Sequence, residues 1–236
     1  KLTSMYTDYD VLDNYTVPSY PNLTFPTIPA SHPNNPFEQG VVWLGRPYPL
    51  LARETTLPAP RANNTFRVEG SLNGDFSNEW GWLTSLAYST NEYEITQPDL
   101  SPSKLDLATL GQGGISGDLL YNPFDPLAED NLLIRDWAST AFSSKTTTGL
   151  IVWDGVINGD WFSTDAGTAS FAVGSQIRSE SYEVDPDDVS TLNYDAQGNP
   201  LGNDFLFLGG VNSVDESRST YAVFAETEIP LAEGLD

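Results

Sequence analysis

The feature that most restricts what this chain can fold into is an alternation of period two from Thr146 to Glu183, interrupted only at Phe162-Ser163-Thr164-Asp165-Ala166. In its first half Gly149, Ile151, Trp153, Gly155, Ile157, Gly159 and Trp161 fall on one side, while Thr148, Asp154, Asn158 and Asp160 share the other with Leu150, Val152 and Val156. In its second half Ala169, Phe171, Val173 and Ile177 alternate with Thr168, Ser170, Gln176, Arg178 and Glu180. Successive side chains of a strand point to opposite faces, so the pattern predicts two strands joined by a short turn, each far longer than the usual soluble strand of about 5–6 residues. A tilted strand crossing a bilayer needs roughly 9–11 residues with one apolar row. Both strands reach that length.

A second hairpin of the same design is predicted at 65–91. Phe66, Val68, Gly70 and Leu72 oppose Thr65, Arg67, Glu69, Ser71 and Asn73; a turn follows at Asp75 to Glu79. The return strand sets Trp80, Trp82, Thr84, Leu86 and Tyr88 against Gly81, Ser85, Ala87, Ser89 and Asn91, with Leu83 the apolar exception. A further strand is predicted over 220–231, where Tyr221, Val223, Ala225, Thr227, Ile229 and Leu231 share a face, and Pro230 ends the ladder before a turn at Ala232 to Gly234.

Between these stretches the chain reads as loop. Residues 1–64 are expected to be a proline-rich loop, with Pro18, Pro21, Pro26, Pro29, Pro33 and Pro36 opposing regular structure and one short strand at Val41 to Leu44. Residues 92–145 form a long connection holding a predicted helix over 127–142, with Asp125 as its cap. Residues 184–217 are a third polar connection. Loop lengths thus alternate short and long, as they do in outer-membrane barrels, and Phe76, Trp80, Trp82, Trp161 and Phe162 crowd the short turns like an interfacial aromatic girdle.

Charge and composition narrow the function classes. Ten basic against 33 acidic residues give a net charge of -23, which repels nucleic acid and leaves no basic stripe for it. The absence of cysteine removes disulfides, thiolate metal sites and thiol nucleophiles. Catalysis finds little support, because His32 is the only histidine and lies among prolines without a nucleophile motif near it. Asp185, Asp187 and Asp188, or Asp195 with Asn199 and Asn203, offer oxygen ligands for a cation, but neither spacing fits a calcium loop and turn chemistry is the better reading. No catalytic residue, metal site or cofactor is therefore assigned.

Several stretches together resemble a family. The run from Asp165 (Asp-Ala-Gly-Thr-Ala-Ser-Phe-Ala-Val-Gly-Ser-Gln-Ile-Arg-Ser-Glu-Ser), a long polar loop, and then Arg218-Ser-Thr-Tyr-Ala-Val-Phe-Ala-Glu-Thr-Glu-Ile-Pro-Leu231 resemble the early barrel of large TonB-dependent receptors. Asn35-Pro36-Phe37 and Asn122-Pro123-Phe124 are similar to the Asn-Pro-Phe-Gly stretches of that family's outer loops, with Glu38 and Asp125 in place of the glycine. The resemblance implies an all-β fold in which this segment is a partial antiparallel transmembrane β-barrel wall, part of a 22-stranded barrel in the bacterial outer membrane with long extracellular loops. It implies uptake of a scarce ligand (siderophore, cobalamin, glycan or peptide) driven through TonB. Its partners would be the bilayer, a plug domain, the remaining barrel strands, and TonB through a plug segment. The chain is expected to be a portion of a longer polypeptide, since about five long strands are too few to close a barrel around a plug.

On that reading Arg67, Glu69, Arg178, Glu180, Glu226 and Glu228 face the lumen or plug, where charge costs less than against lipid. Tyr93, Tyr121, Trp137 and Tyr194 are candidate ligand contacts in the outer loops. Two alternatives share parts of the pattern: a passive porin-type channel, and a soluble β-sandwich or lectin-like module whose tryptophans face a second sheet.

Overall fold

The computed structural model describes residues 1–16, 26–44, 56–76, 80–125 and 128–231. The turn expected at 232–234 and the start of the helix expected at Leu127 lie outside these residues.

The fold is built on one six-stranded antiparallel sheet in the order β1-β4-β5-β6-β7-β10. Its strands are β1 (Leu2–Thr16), β4 (Thr56–Asp75), β5 (Trp80–Leu100), β6 (Ser139–Thr164), β7 (Gly167–Pro186) and β10 (Val214–Glu228). Two small pairs, β2 (Thr27–Ile28) with β3 (Val41–Val42) and β8 (Asn193–Tyr194) with β9 (Pro200–Leu201), lie in the connections. So do helices α1 (Pro102–Thr109) and α2 (Glu129–Ala138). The all-β expectation holds. Every neighbour in the large sheet is adjacent in the meander, and the connections alternate long and short, so the three long ones emerge from one end.

Several boundaries differ from expectation. Residues 1–64 are not all loop, because Leu2–Thr16 is a full strand paired with β4 from Leu2↔Gly70 to Thr16↔Thr56. That strand lies ahead of the first proline, Pro18. Strands also extend toward the long-loop end: β4 begins at Thr56 instead of 65, β5 runs to Leu100 instead of 91, β6 begins at Ser139 instead of 146 and β10 at Val214 instead of 220. Pro58, Pro60 and Pro98 are tolerated there because the β4–β5 ladder starts only at Arg61↔Ile95, so these prolines are paired on one side and turn their missing N–H to an open edge. At the other end β10 stops at Glu228 instead of Leu231, ahead of Ile229-Pro230, and the strand expected at 41–44 is the two-residue β3. The β6–β7 register slips between Asp160 and Phe162, so the alternation that put Trp161 in line with Gly159 breaks at a bulge.

The hydrophobic core does not lie in the sheet. Leu100, Leu105, Ala108, Tyr121, Ile134, Ala138 and Leu206 form one buried cluster at the long-loop end, drawn from the end of β5, both helices and the β7–β10 connection. Helix α1 starts at Ser101, whose Oγ accepts the Lys104 N–H, with Pro102 in the first turn. Helix α2 lacks a side-chain cap: Ala128 occupies that position and donates its N–H to the backbone oxygen of Asp125, the residue expected to cap it. Most sheet residues, in contrast, are exposed or half-buried on both faces, with Ala59, Asp99, Leu100 and Ala169 among the buried exceptions. The accessible surface is 15133 Å², against roughly 10,500 Å² for a compact chain of 25.8 kDa, as a single layer requires.

Candidate functional site

Register fixes which side chains share a face. Cross-strand rows on one face read Trp80–Gly159–Phe171–Thr227, then Trp82–Ile157–Val173–Ala225, then Gly70–Leu86–Trp153–Ile177–Tyr221, then Val68–Tyr88–Ile151. These apolar side chains stand in the open: Leu86 is 56% exposed, Ile177 45% and Val223 85%. Toward the long-loop end the same face turns acidic within one row, where Asp8, Asn64, Glu92, Thr147, Glu183 and Asp215 align, followed by Asp10, Glu94, Lys145 and Asp185. Lys145 lies 3.0 Å from Glu92 and 3.7 Å from Glu94.

The opposite face is mixed, with charged pairs set among Leu83, Leu150, Val152, Val156 and Phe224. Arg67 pairs with Glu69 at 3.0 Å, and Glu180 takes ion pairs from both Arg178 and Arg218. The residues predicted to share this face do so, but in two groups. Three strand spacings, about 14 Å at roughly 4.8 Å each, separate the Arg67 pair on β4 from the Glu180 cluster on β7. Arg218 completes that cluster; it lies two residues before the stretch over which the alternation predicts a strand, and the sequence assigns it no role. Glu226 and Glu228 lie on the same face nearer the short turns, exposed on β10 and without an ion pair among the described residues. One row nearer the long loops, Thr65, Asn91, Thr148, Tyr182 and Glu216 line a shallow groove of about 510 Å³ that Glu180 and Arg218 also border.

The aromatics expected at the short turns gather there. Phe76 meets Trp82 at 6.3 Å, and Phe171, which the sequence did not single out, takes the edge of Trp80 at 4.9 Å and of Trp161 at 6.3 Å. Trp161 packs on Phe162 at 5.6 Å, and the Trp80 indole donates to the Asp160 oxygen at 2.8 Å.

The four aromatic residues expected in outer loops part company. Tyr93 lies within β5 opposite Thr146. Tyr121 is buried in the end cluster and packs against Trp43 at 6.0 Å. Trp137 is half-buried against that cluster with the Lys104 ammonium over its ring. Tyr194 is exposed on β8, its hydroxyl donating to Asn212. Aromatic residues in a long connection read as contact residues only while the connection is assumed to lack a core of its own.

That connection instead folds as a cap uniting all three long loops. Both Asn-Pro-Phe stretches are tight turns in which the asparagine Oδ1 accepts the phenylalanine N–H, at 2.9 Å for Asn35 and 3.0 Å for Asn122. Buried Asn131 clamps the second, accepting the Asn122 N–H and donating to the oxygens of Asn122 and Asp125. The β7–β10 connection is tied down twice. Asp99 accepts the N–H groups of Leu100, Phe207 and Leu208; burial pushes its carboxyl above the usual range despite those bonds. Asp204 accepts from Ser101 and from both the N–H and hydroxyl of Ser103. Burial alone would raise the Asp204 carboxyl, but these bonds and the Lys104 charge hold it below the usual range.

Catalytic and cation readings gain nothing from this geometry. Ser101 and Lys104 have the spacing of a serine–lysine pair, yet the Lys104 ammonium is turned away to the Trp137 oxygen at 2.8 Å. Asp195 spends its carboxylate on the Gln197 and Asn199 amides and the Asn199 side chain, which hold it below the usual range, and Asp187 accepts the Ser190 N–H. No family model, curated protein or solved structure matches the chain. The reading of its surfaces therefore rests on their geometry.

Proposed function

We propose that this chain is part of the wall of a transmembrane β-barrel in a bacterial outer membrane. Its apolar face meets lipid, its mixed face meets the lumen, and its cap lies outside the cell. The observation that carries the reading is the apolar band on a single uncovered layer. From Trp80 to Thr90 it runs about 33 Å along the strand, which at a tilt of about 40° spans about 25 Å, the height of an outer-membrane apolar band. Tryptophan and phenylalanine mark its lower edge and carboxylates its upper edge. A soluble sandwich would need a second sheet over the apolar face, and among the described residues the only others are the two-stranded pairs in the cap. Edge strands β1 and β10 each pair on one side only, which supports further strands on both sides. The motif resemblance supports a TonB-dependent receptor of the 22-stranded kind, taking up a scarce ligand past a plug.

The chain has no cysteine, so single cysteines report cleanly. In the full native polypeptide reconstituted in liposomes, fluorophores at Val173→Cys and Ile177→Cys are expected to be quenched by spin-labelled lipid, and those at Ala172→Cys and Gln176→Cys are not. Equal quenching on the two faces rejects the barrel wall.

A further inference from the structure

Two opposite charges stand side by side on the mixed face of the sheet without meeting. Glu180 on β7 accepts from Arg178 Nη2 at one carboxylate oxygen and from Arg218 Nε at the other. Two guanidinium groups thus share one carboxylate, and the cluster keeps one positive charge, whereas the Arg67 and Glu69 pair on β4 keeps none. Arg218 presents that charge: its side chain is 75% exposed, and its bond to Glu180 uses only Nε, so both terminal nitrogens stay open among the described residues. Glu216 lies two residues earlier on the same face of β10, is exposed, and makes no ion pair among the described residues. Directly opposite it on β7 stands Tyr182, whose ring is 48% exposed. Glu216, Tyr182 and Arg218 all border the groove of about 510 Å³, together with the apolar Leu150.

We propose that this groove binds a zwitterion, an α-amino acid whose carboxylate is held by Arg218 and whose ammonium is held by Glu216 against the Tyr182 ring. Residues two apart on a strand are separated by about 7 Å, at roughly 3.4 Å each. The ammonium nitrogen and carboxylate carbon of an α-amino acid are about 2.5 Å apart, and a charge-assisted hydrogen bond of about 2.8 Å at each end carries that unit across the same span. A guanidinium with both terminal N–H groups open donates two parallel bonds to a carboxylate, and a carboxylate beside an exposed aromatic ring suits an ammonium. A simple anion meets Glu216 and a simple cation meets Arg218, so a ligand that carries both charges fits better than either. Glu180 and Arg178 are positioning residues. Glu180 fixes the Arg218 guanidinium through Nε, and Arg178 offsets the Glu180 charge that would otherwise cancel that of Arg218. The site follows from the sheet register alone, while its place on an uptake path rests on the barrel reading.

Saturation-transfer NMR tests this on the full native polypeptide in liposomes, with each of the twenty common L-amino acids in turn as the probe. Transfer to at least one is expected, and the N-acetyl derivative and the amide of the strongest, which each lack one charge, are expected to bind far less. Arg218→Gln and Glu216→Gln, both at exposed positions, are each expected to weaken binding by about tenfold or more, with Arg67→Gln unchanged. Absence of transfer to all twenty overturns the site, and so does binding that survives in both variants or an N-acetyl derivative that binds as well as the free amino acid. Lipid quenching at 172–177 is read in the same liposomes: binding without the difference between faces keeps the site and rejects the wall, and the difference without binding rejects the site alone.

Discussion

Phe37 and Phe124, the last residues of the two Asn-Pro-Phe turns, meet with ring centroids 6.4 Å apart. Two stretches 87 positions apart in sequence are therefore one structural feature, each turn presenting its ring to the other. The clamp on the second turn is Asn131, 1% exposed, with three bonds to backbone groups of 122 and 125. Asn131→Leu strands those groups in a buried site at a cost of about 1–3 kcal/mol. Hydrogen exchange at Asn122 is expected to accelerate by about tenfold or more, with the exchange of the sheet unchanged. Retained protection of Asn122 would show that the clamp contributes nothing.

The barrel reading assigns opposite tolerances to adjacent residues. Leu86, in the middle of the apolar band, projects to the apolar face, and Ala87 projects to the opposite face between Glu69 and Val152. Arginine against lipid near the midplane costs about 2–4 kcal/mol, and in the lumen far less. Leu86→Arg is expected to lower the urea midpoint of the liposome-inserted protein, with Ala87→Arg close to wild type. A reversed order would place lipid on the other face.

How much of this was legible in the sequence depended on whether a stretch alternates without competition. Thr65 to Asn73 and Thr146 to Asp160 alternate, and the register sets their side chains on the faces that alternation predicts. Leu2–Thr16 alternates less obviously, because Asp8 and Asp10 stand on the same face as Leu2 and Tyr6. Those acids belong to the carboxylate rows above the band, a feature visible only once neighbouring strands are aligned. The bulge at Trp161 and the burial of Tyr121 were hidden for the same reason, since both depend on partners distant in sequence. The start of α1 was readable from Ser101-Pro102, a favoured cap followed by a favoured first-turn residue.

Aromatic rings lie over glycines on both faces. A Cβ built on Gly174 would stand 2.2 Å from the Phe224 ring, and one on Gly74 would stand 3.0 Å from the Trp82 indole. Gly174→Val is expected to expel Phe224 from its place and destabilise by about 1–3 kcal/mol. Phe224→Ala removes the obstacle, so the double variant is expected to lose less than the sum of the singles, with a coupling of about 0.5–3 kcal/mol in a denaturation cycle. Strict additivity would mean that the ring does not depend on the glycine.

Acid should loosen the third loop through Asp204, which lies outside the proposed membrane band. Its carboxyl is held below the usual range by Ser101 and Ser103, so its contribution is present above the unfolded value of about 3.9 and is lost as pH falls through the lower folded value. Asp99 works the other way: burial raises its carboxyl, so acidification relieves the burial of its charge and does not drive the loop off. Cleavage within 187–213 by an acid protease, compared at about pH 5 and about pH 3 across the unfolded value, is expected to rise at the lower pH. Asp204→Asn cannot titrate there, and its cleavage is expected to show a much smaller step between the same two conditions. An undiminished step in Asp204→Asn would assign the transition to another group, and its absence in the wild type would show that the Ser101–Asp204 contact does not hold the loop.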